Sequence, residues 1–224
     1  MEEKYTFWWE NLPEIWKKIL TSHFYHLNEV KKDENDTKII ELGTLFFENN
    51  EDFYQLQELI RLKYSCKNEK NKINFIPFLG FLQKLIWVDL QGNDIENISS
   101  LSDLFLLREL NLSENQIIDI LPISNLLQMK ELDLSWNKIE NISPISNLIK
   151  ITNLELGGNQ IVDIEPLRNL ENLTWLNISD NNISEISALF HLKKLVILNL
   201  RNNPINKGEI SELRKKLPHT QIIL

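Results

Sequence analysis

The stretch Leu132-Asp133-Leu134-Ser135-Trp136-Asn137-Lys138-Ile139 is one copy of a pattern that the chain repeats every 22 residues. In each copy an asparagine follows an alternating apolar–polar–apolar triplet, and an isoleucine follows the asparagine by two residues. The asparagines are Asn93, Asn115, Asn137, Asn159, Asn181 and Asn203. A unit this small cannot bury its own apolar residues, so repetition in register predicts a solenoid whose units stack on one another.

The local pattern predicts what each side of a coil contains. Alternation in the triplet places its two apolar residues inside and its middle residue outside, as in a strand of a parallel sheet. An asparagine amide both donates and accepts hydrogen bonds, so it can satisfy backbone groups in the turn after the strand. Pro122, Pro144 and Pro166 also recur with the repeat and favour short 3₁₀ turns over full helices on the opposite side.

These residues resemble the leucine-rich-repeat family, whose pattern is L-x-x-L-x-L-x-x-N-x-I-x-x-I-x-x-L-x-x-L. The repeat length is similar to that of bacterial internalins and of a eukaryotic regulatory subunit of protein phosphatase 1. The resemblance covers residues 59–224 and implies an α/β solenoid. Such a solenoid is a curved right-handed coil with a parallel sheet on the concave side, 3₁₀ or irregular segments on the convex side and a helical N-terminal cap. It also implies protein binding on the concave face, without identifying the partner.

The 22-residue period is lost at both ends of the chain. We predict a helical N-terminal cap region over residues 1–58, where Trp16, Ile19 and Leu20 have helical spacing. A separate functional domain is the alternative for this segment. Residues 59–203 are the predicted solenoid, with one degraded repeat and about six regular ones. Residues 204–224 are the predicted C-terminal cap, with a helix over 209–217 and a last strand over 221–224.

Composition narrows the classes of partner. The net charge of −8 argues against nucleic acid or an anionic membrane as the main partner, and it is compatible with a basic protein. No apolar run approaches the roughly 18 residues of a membrane span, so we expect no membrane insertion. The sequence predicts a monomer in isolation, and its richness in Asn, Lys and Ile favours a bacterial source.

Location is predicted from the cysteine content and the start of the sequence. The single cysteine, Cys66, allows no intramolecular disulfide and fits a reducing compartment. The first ten residues lack the basic and apolar regions of a secretory signal. We therefore expect a cytoplasmic protein, whereas an unseen leader would make it secreted or surface-bound.

No motif for catalysis, metal or cofactor stands out. Cys66 has no neighbouring histidine in the sequence, and His23 and His26 lack a third ligand at a recognised spacing. We therefore predict that the protein is not an enzyme and uses no cofactor or metal. An activity hidden in the N-terminal segment is the alternative.

The repeat register identifies the residues that face outward from the sheet. Among them are many carboxylates and three tryptophans, and tryptophan is enriched at interface hot spots. We expect the tryptophans to anchor a partner while the carboxylates attract its Lys and Arg side chains. In the alternative interpretation the acids serve solubility and the tryptophans pack on their neighbours. The predicted partner-binding residues are Trp87, Asp89, Glu109, Asn111, Glu131, Asp133, Trp136, Asn153, Glu155, Trp175, Asn177, Asn199 and Arg201.

Two functions are consistent with the sequence. The first is a protein-interaction module that binds a basic partner surface through its acidic, tryptophan-bearing concave face. The second is a surface or secreted adhesion module of the internalin type.

Overall fold

The computed structural model describes residues 61–63, 72–76 and 82–224. The predicted helical cap over residues 1–58 therefore lies outside the described residues. So do Cys66, His23 and His26, together with most of the degraded first repeat.

One parallel sheet of eight strands runs the length of the described chain, and each strand pairs with the next one in the sequence. The register advances by one repeat at a time, so that Glu109 pairs with Glu131 and Glu131 pairs with Asn153. This confirms the predicted parallel sheet. The strands are β1 (Arg61–Lys63), β2 (Trp87–Asp89), β3 (Glu109–Asn111), β4 (Glu131–Asp133), β5 (Asn153–Glu155), β6 (Trp175–Asn177), β7 (Ile197–Asn199) and β8 (Gln221–Ile223).

Short 3₁₀ helices form the opposite side of the coils, as predicted. Pro122, Pro144 and Pro166 each lie in the first turn of one of them. Backbone N–H groups of the first turn have no acceptor within the helix, so a proline there removes no hydrogen bond. The proline positions therefore explain why this side has single turns. Within the described residues the 3₁₀ helices are η1 (Ser99–Leu101), η2 (Leu121–Ile123), η3 (Ser143–Ile145), η4 (Glu165–Leu167) and η5 (Ser187–His191).

The core is a continuous apolar cluster between the sheet and the 3₁₀ side, and it extends from Ile73 to Leu217. The centre of each strand from β2 to β7 contributes an inward aliphatic residue, and none of these is more than 2% exposed. Residues on either side of it point outward, which is the alternation predicted from the triplets. The fold therefore leaves one face of the sheet uncovered.

The six repeat asparagines lie in one column and hold successive coils together. Asn137 is typical: its Oδ1 accepts a hydrogen bond from the Ile117 N–H at 2.9 Å, and its Nδ2 donates to the Leu112 carbonyl at 2.9 Å. Both partners belong to the preceding coil. The same Nδ2 also lies 3.1 Å from the Leu134 carbonyl of its own turn. This confirms the prediction that the amide satisfies buried backbone groups.

The last coil is followed by helix α1 (Lys207–Lys216) and then by β8. The helix begins two residues before the predicted start because Asn206 is its N-cap, with a side chain that accepts a hydrogen bond from the Glu209 N–H at 2.9 Å. Leu213 and Leu217 are buried against the core. The predicted terminal helix and strand are therefore present.

Candidate binding face

The outward side of the sheet contains a shallow hollow of about 340 Å³ that spans β2 to β6. No lysine or arginine is among the described residues that line it. Nine of the predicted partner-binding residues line it, together with Leu110 and Leu132 at the strand centres. These nine are Trp87, Asp89, Glu109, Asn111, Glu131, Asp133, Asn153, Glu155 and Trp175.

The other four predicted residues are not part of the lining. Asn177 borders the hollow on β6, and Asn199 and Arg201 belong to the next coil. Trp136 is in the turn after β4, next to Glu114 and Gln116 rather than in the hollow. The predicted set therefore divides into a central group of nine and a peripheral group of four.

Trp87 and Trp175 mark the two ends of the hollow. They lie in the same column of side chains, separated in register by Glu109, Glu131 and Asn153. Four strand steps of about 4.8 Å place them roughly 19 Å apart. Trp175 is 38% exposed, whereas Trp87 is only partly exposed. Trp87 therefore offers less surface to a partner than Trp175, and it makes a further contact within the protein.

The last residue of most strands has a structural role that was not predicted from the sequence. The Asp133 Oδ1 accepts hydrogen bonds from the Ser135 N–H at 2.9 Å and from the Ser135 hydroxyl at 2.6 Å. This local turn closes the end of the strand. The signal was readable, since an Asp or Asn followed two residues later by Ser favours such a turn. The same backbone contact is made by Asp89, Asn111, Asn177 and Asn199.

Glu155 departs from this arrangement. Its carboxylate accepts hydrogen bonds from the Trp175 indole N–H and from the Asn177 side chain. Burial raises the pKa of Glu155 above its ordinary value of 4.5, these two hydrogen bonds oppose the rise, and the nearby charge of Asp133 adds to it. The Glu155 carboxylate therefore fixes the indole of Trp175 at the edge of the hollow.

Negative charge at the centre of the hollow has no cationic partner among the described residues. The side chain of Glu131 is exposed and makes no hydrogen bond or ion pair with any of them. Asp133 and Glu155 make hydrogen bonds but no ion pairs within the same part of the chain. The strands β4 and β5 therefore present three uncompensated carboxylates.

Strand β1 adds basic residues to the sequence at one end of the sheet. Its register places Arg61 beside Trp87 and Lys63 beside Asp89.

Each turn after β2 to β7 contains a residue in the left-handed backbone region, which the sequence analysis did not foresee. The φ values lie between 54° and 71°, at Gly92, Glu114, Trp136, Gly158, Asp180 and Asn202. A bulky residue such as Trp136 rarely adopts this conformation. Its ring lies against Gly158, where an added Cβ would come within 2.6 Å of Trp136 Cδ2. Trp136 is 61% exposed and forms a separate aromatic surface beside the hollow.

Two searches of the described residues bear on other functions. No group of three or more His, Cys, Asp or Glu side chains within them could hold a metal ion. None of the helices in that part of the chain is long and apolar enough to cross a membrane.

Comparison with known proteins agrees with the stacked coils and the asparagine column. Leucine-rich-repeat family models match residues 149–205 and 106–126. The chain is a leucine-rich-repeat protein. This leucine-rich-repeat protein resembles the internalins in particular, as its similarity to two solved structures indicates. A search of curated proteins found no match.

The internalin F structure from Listeria monocytogenes is 29% identical, with a TM-score of 0.55 over 65% of this chain and 49% of that one. The internalin C2 structure from the same bacterium is 28% identical, with a TM-score of 0.61 over 75% of this chain and 83% of that one. This leucine-rich-repeat protein thus spans about half the length of internalin F. A plant peptide hormone receptor in complex with its peptide, RGFR1 with RGF2, is 25% identical, with a TM-score of 0.57 over 68% of this chain and 26% of that one.

Proposed function

We propose that this leucine-rich-repeat protein is a protein-interaction module that binds a basic surface of its partner in the hollow over β2 to β6. The observation that carries the proposal is the lining of that hollow, which in the described part of the chain has five carboxylates and two tryptophans and no lysine or arginine. Solenoids commonly present such broad faces to partners. The role is one of binding rather than catalysis.

The carboxylates and the tryptophans have different tasks in this proposal. Glu131, Asp133 and Glu155 provide the negative potential that attracts Lys and Arg side chains and accelerates encounter. Trp175 provides apolar area and a ring face for a cation, and its hydrogen bond to Glu155 reduces the entropy lost on binding. A cation that reaches the centre of the hollow finds carboxylates with no competing ion pair in the described chain.

One of the comparisons supports a role in binding a polypeptide. The structure of the plant receptor RGFR1 is described as a complex with the peptide RGF2, and its similarity to this chain extends over 68% of the chain. A leucine-rich-repeat solenoid of related shape therefore takes a polypeptide ligand.

Charge reversal at the centre of the hollow tests the proposal. The partner is first captured from a lysate of the source organism and purified, and its affinity for the protein is then measured by calorimetric titration. We expect Glu131→Lys to weaken binding by about tenfold or more, since it places a cation where the partner's cation binds. Trp175→Ala should weaken it by a similar factor.

The matched control is Glu140→Lys, which makes the same change in net charge at an exposed position outside the hollow. It should leave the affinity within about twofold of the unmodified protein. Equal losses for Glu131→Lys and Glu140→Lys would mean that overall charge, not this face, controls binding. Full affinity in both Glu131→Lys and Trp175→Ala would place the binding site elsewhere.

A surface or secreted adhesion module is the second candidate function, and the similarity to internalins F and C2 favours it. We propose instead a cytoplasmic location, on the basis of the single cysteine. Fractionation of the source organism, with protease treatment of intact cells, separates the two. Cleavage of the protein on intact cells would support adhesion, and protection until lysis would support the cytoplasmic module.

A further inference from the structure

Four large apolar side chains form an exposed patch on one flank of the solenoid, in the loops that precede β3, β4 and β5. The four residues, called here the flank stripe, are Phe105, Leu106, Leu127 and Ile149, with exposures of 54%, 51%, 50% and 54%. Exposed apolar residues are unremarkable when they are scattered, but a contiguous group marks a surface that contacts something.

The stripe residues are neighbours in space because the coils are in register at this point. The Lys130 N–H donates to the Arg108 carbonyl at 2.7 Å, and the Thr152 N–H donates to the Lys130 carbonyl at 2.8 Å. These contacts lie three residues after Phe105 and Leu127. Phe105, Leu127 and Ile149 are each preceded by a fully buried leucine, at Leu104, Leu126 and Leu148. Phe105, Leu127 and Ile149 thus project from equivalent points of three successive coils.

The fold does not require apolar residues at this position. The equivalent residues of the other coils are Gln83, Glu171 and Lys193, all of them polar. Since those coils have the same turns and strands, an apolar residue here contributes nothing that stacking demands. Only the three middle coils carry the stripe, so its role is specific to their surface.

Cationic side chains border the stripe. Arg108 and Lys130 are exposed, and neither makes an ion pair with any described residue. Lys150 is adjacent to Ile149, and its ammonium donates to the Gln128 side chain at 2.7 Å rather than to a carboxylate. In a chain of net charge −8, three cations without carboxylate partners in the described part form a local basic margin. An occupant with carboxylates beside its apolar residues would complement both features.

We propose that the flank stripe docks an acidic amphipathic helix of a partner protein, with the helix axis parallel to the axis of the solenoid. Successive coils are about 4.8 Å apart at the sheet, and one turn of an α-helix rises about 5.4 Å. Such a helix places one apolar residue per turn against each coil of the stripe. Its flanking Asp or Glu residues meet Arg108, Lys130 and Lys150. An extended strand, which repeats its facing side chains about every 6.6 Å, matches the coil spacing less well.

A second copy of this chain fits the stripe poorly. A two-fold contact would place the same patch on both sides of the interface, so the cations of one copy would face those of the other. The docking surface is also separate from the hollow, because none of the stripe residues lines it. The inference therefore does not depend on the proposed function.

The test uses a synthetic peptide of about 14 residues with leucines on one helical face and glutamates on both sides of that face, labelled with fluorescein. Fluorescence anisotropy measures its binding to the full chain. We expect saturable binding that Leu127→Lys weakens by about tenfold and Lys130→Glu by about threefold. A peptide with lysine in place of each glutamate should bind about tenfold more weakly than the glutamate peptide.

Val162→Lys is the matched control, because Val162 is 60% exposed and lies away from the stripe. It should leave peptide binding unchanged, and circular dichroism should give all variants the same melting curve. The proposal is overturned by absence of peptide binding, by equal binding of the lysine peptide, or by a loss in Trp175→Ala that matches Leu127→Lys. It is also overturned if sedimentation shows a dimer that Leu127→Lys dissociates, since the stripe would then be a contact between copies. Binding to phosphatidylserine vesicles that Leu127→Lys abolishes would assign the stripe to a membrane surface instead.

Discussion

The same strands form the inner and outer faces of the sheet, yet the residue types differ little from coil to coil on the inner face and widely on the outer face. The inward strand centres are aliphatic in every coil from Val88 to Leu198, and none is more than 2% exposed. The outward positions beside them include carboxylates, amides, isoleucine and tryptophan. Stacking constrains only the inner face, because each inward residue must fit its copies in the adjacent coils. Variation on the outer face is therefore where recognition can be encoded.

The asparagine column is the most constrained part of the inner face, and its removal should have the largest effect. Asn137→Ala leaves the Ile117 N–H and the Leu112 carbonyl without their side-chain partners inside the protein. Each unsatisfied buried group costs about 1–3 kcal/mol, so we expect the free energy of unfolding to fall by about 4 kcal/mol. Urea unfolding followed by circular dichroism measures it.

Asn125→Ala is the matched control, because Asn125 is an exposed asparagine of the preceding coil that is outside the column. It should change the free energy of unfolding by less than about 0.5 kcal/mol. Similar losses for Asn125→Ala and Asn137→Ala would show that the column does not have the structural importance argued above.

The turn after each strand is intermediate between the two faces, since its backbone is fixed while its side chains vary. At Gly158 the φ of 70° and the contact with Trp136 both oppose a side chain. We expect Gly158→Ala to lower the free energy of unfolding by about 2 kcal/mol, part of it from strain and part from the displaced indole.

A double-mutant cycle separates these two contributions. In a Trp136→Ala background the clash is absent, so Gly158→Ala should cost only about 1 kcal/mol, the part due to backbone strain. Identical losses in the two backgrounds would mean that Trp136 does not rest on Gly158.

Regularity decided how much of this architecture could be predicted from the sequence. The strands, the 3₁₀ side and the column from Asn93 to Asn203 all followed from a strict 22-residue step. Alternation within the triplets then identified most of the residues that line the hollow, such as Glu131 and Trp175. These features depend on burial and periodicity, which a single sequence displays directly.

The features that were missed depend on dihedral angles and on local hydrogen bonds. Gly92, Gly158, Asp180 and Asn202 are of types that favour the left-handed conformation, but Glu114 and Trp136 occupy the same position and obscure the pattern. For this reason Trp136 was assigned to the same surface as Trp175, although the turn directs it away from the hollow. The strand β1 was predicted only as part of a degraded repeat, because the regular columns begin later.

The outer face itself contains two kinds of carboxylate, and a pair of substitutions on β4 distinguishes them. Asp133 holds Ser135 through two hydrogen bonds, whereas Glu131 has no such contact with the described residues. We expect Asp133→Ala to lower the free energy of unfolding by about 1 kcal/mol and Glu131→Ala to change it by less than about 0.5 kcal/mol. Both remove one negative charge, so urea unfolding of the two compares them directly. Equal effects would mean that Asp133 is not a structural residue.

Substitution of Glu155 should give the smallest effect, a change in how the free energy of unfolding depends on pH. The pKa of Glu155 is raised in the folded protein, mainly by burial, so the folded state retains a proton at pH values where the unfolded state has lost it. The free energy of unfolding therefore falls as the pH rises from about the unfolded pKa of 4.5 through the higher folded pKa. Above the folded pKa, Glu155 adds no further pH dependence to it.

In Glu155→Gln this dependence is removed. The free energy of unfolding of both proteins is measured with urea at several pH values between about 4 and 7. As the pH rises, that of the unmodified protein should fall relative to that of Glu155→Gln. A rise of the unmodified protein's free energy of unfolding relative to the variant would mean that the hydrogen bonds from Trp175 and Asn177 outweigh burial. The charged Glu155 carboxylate would then stabilise the fold and be available to bind the partner's cation.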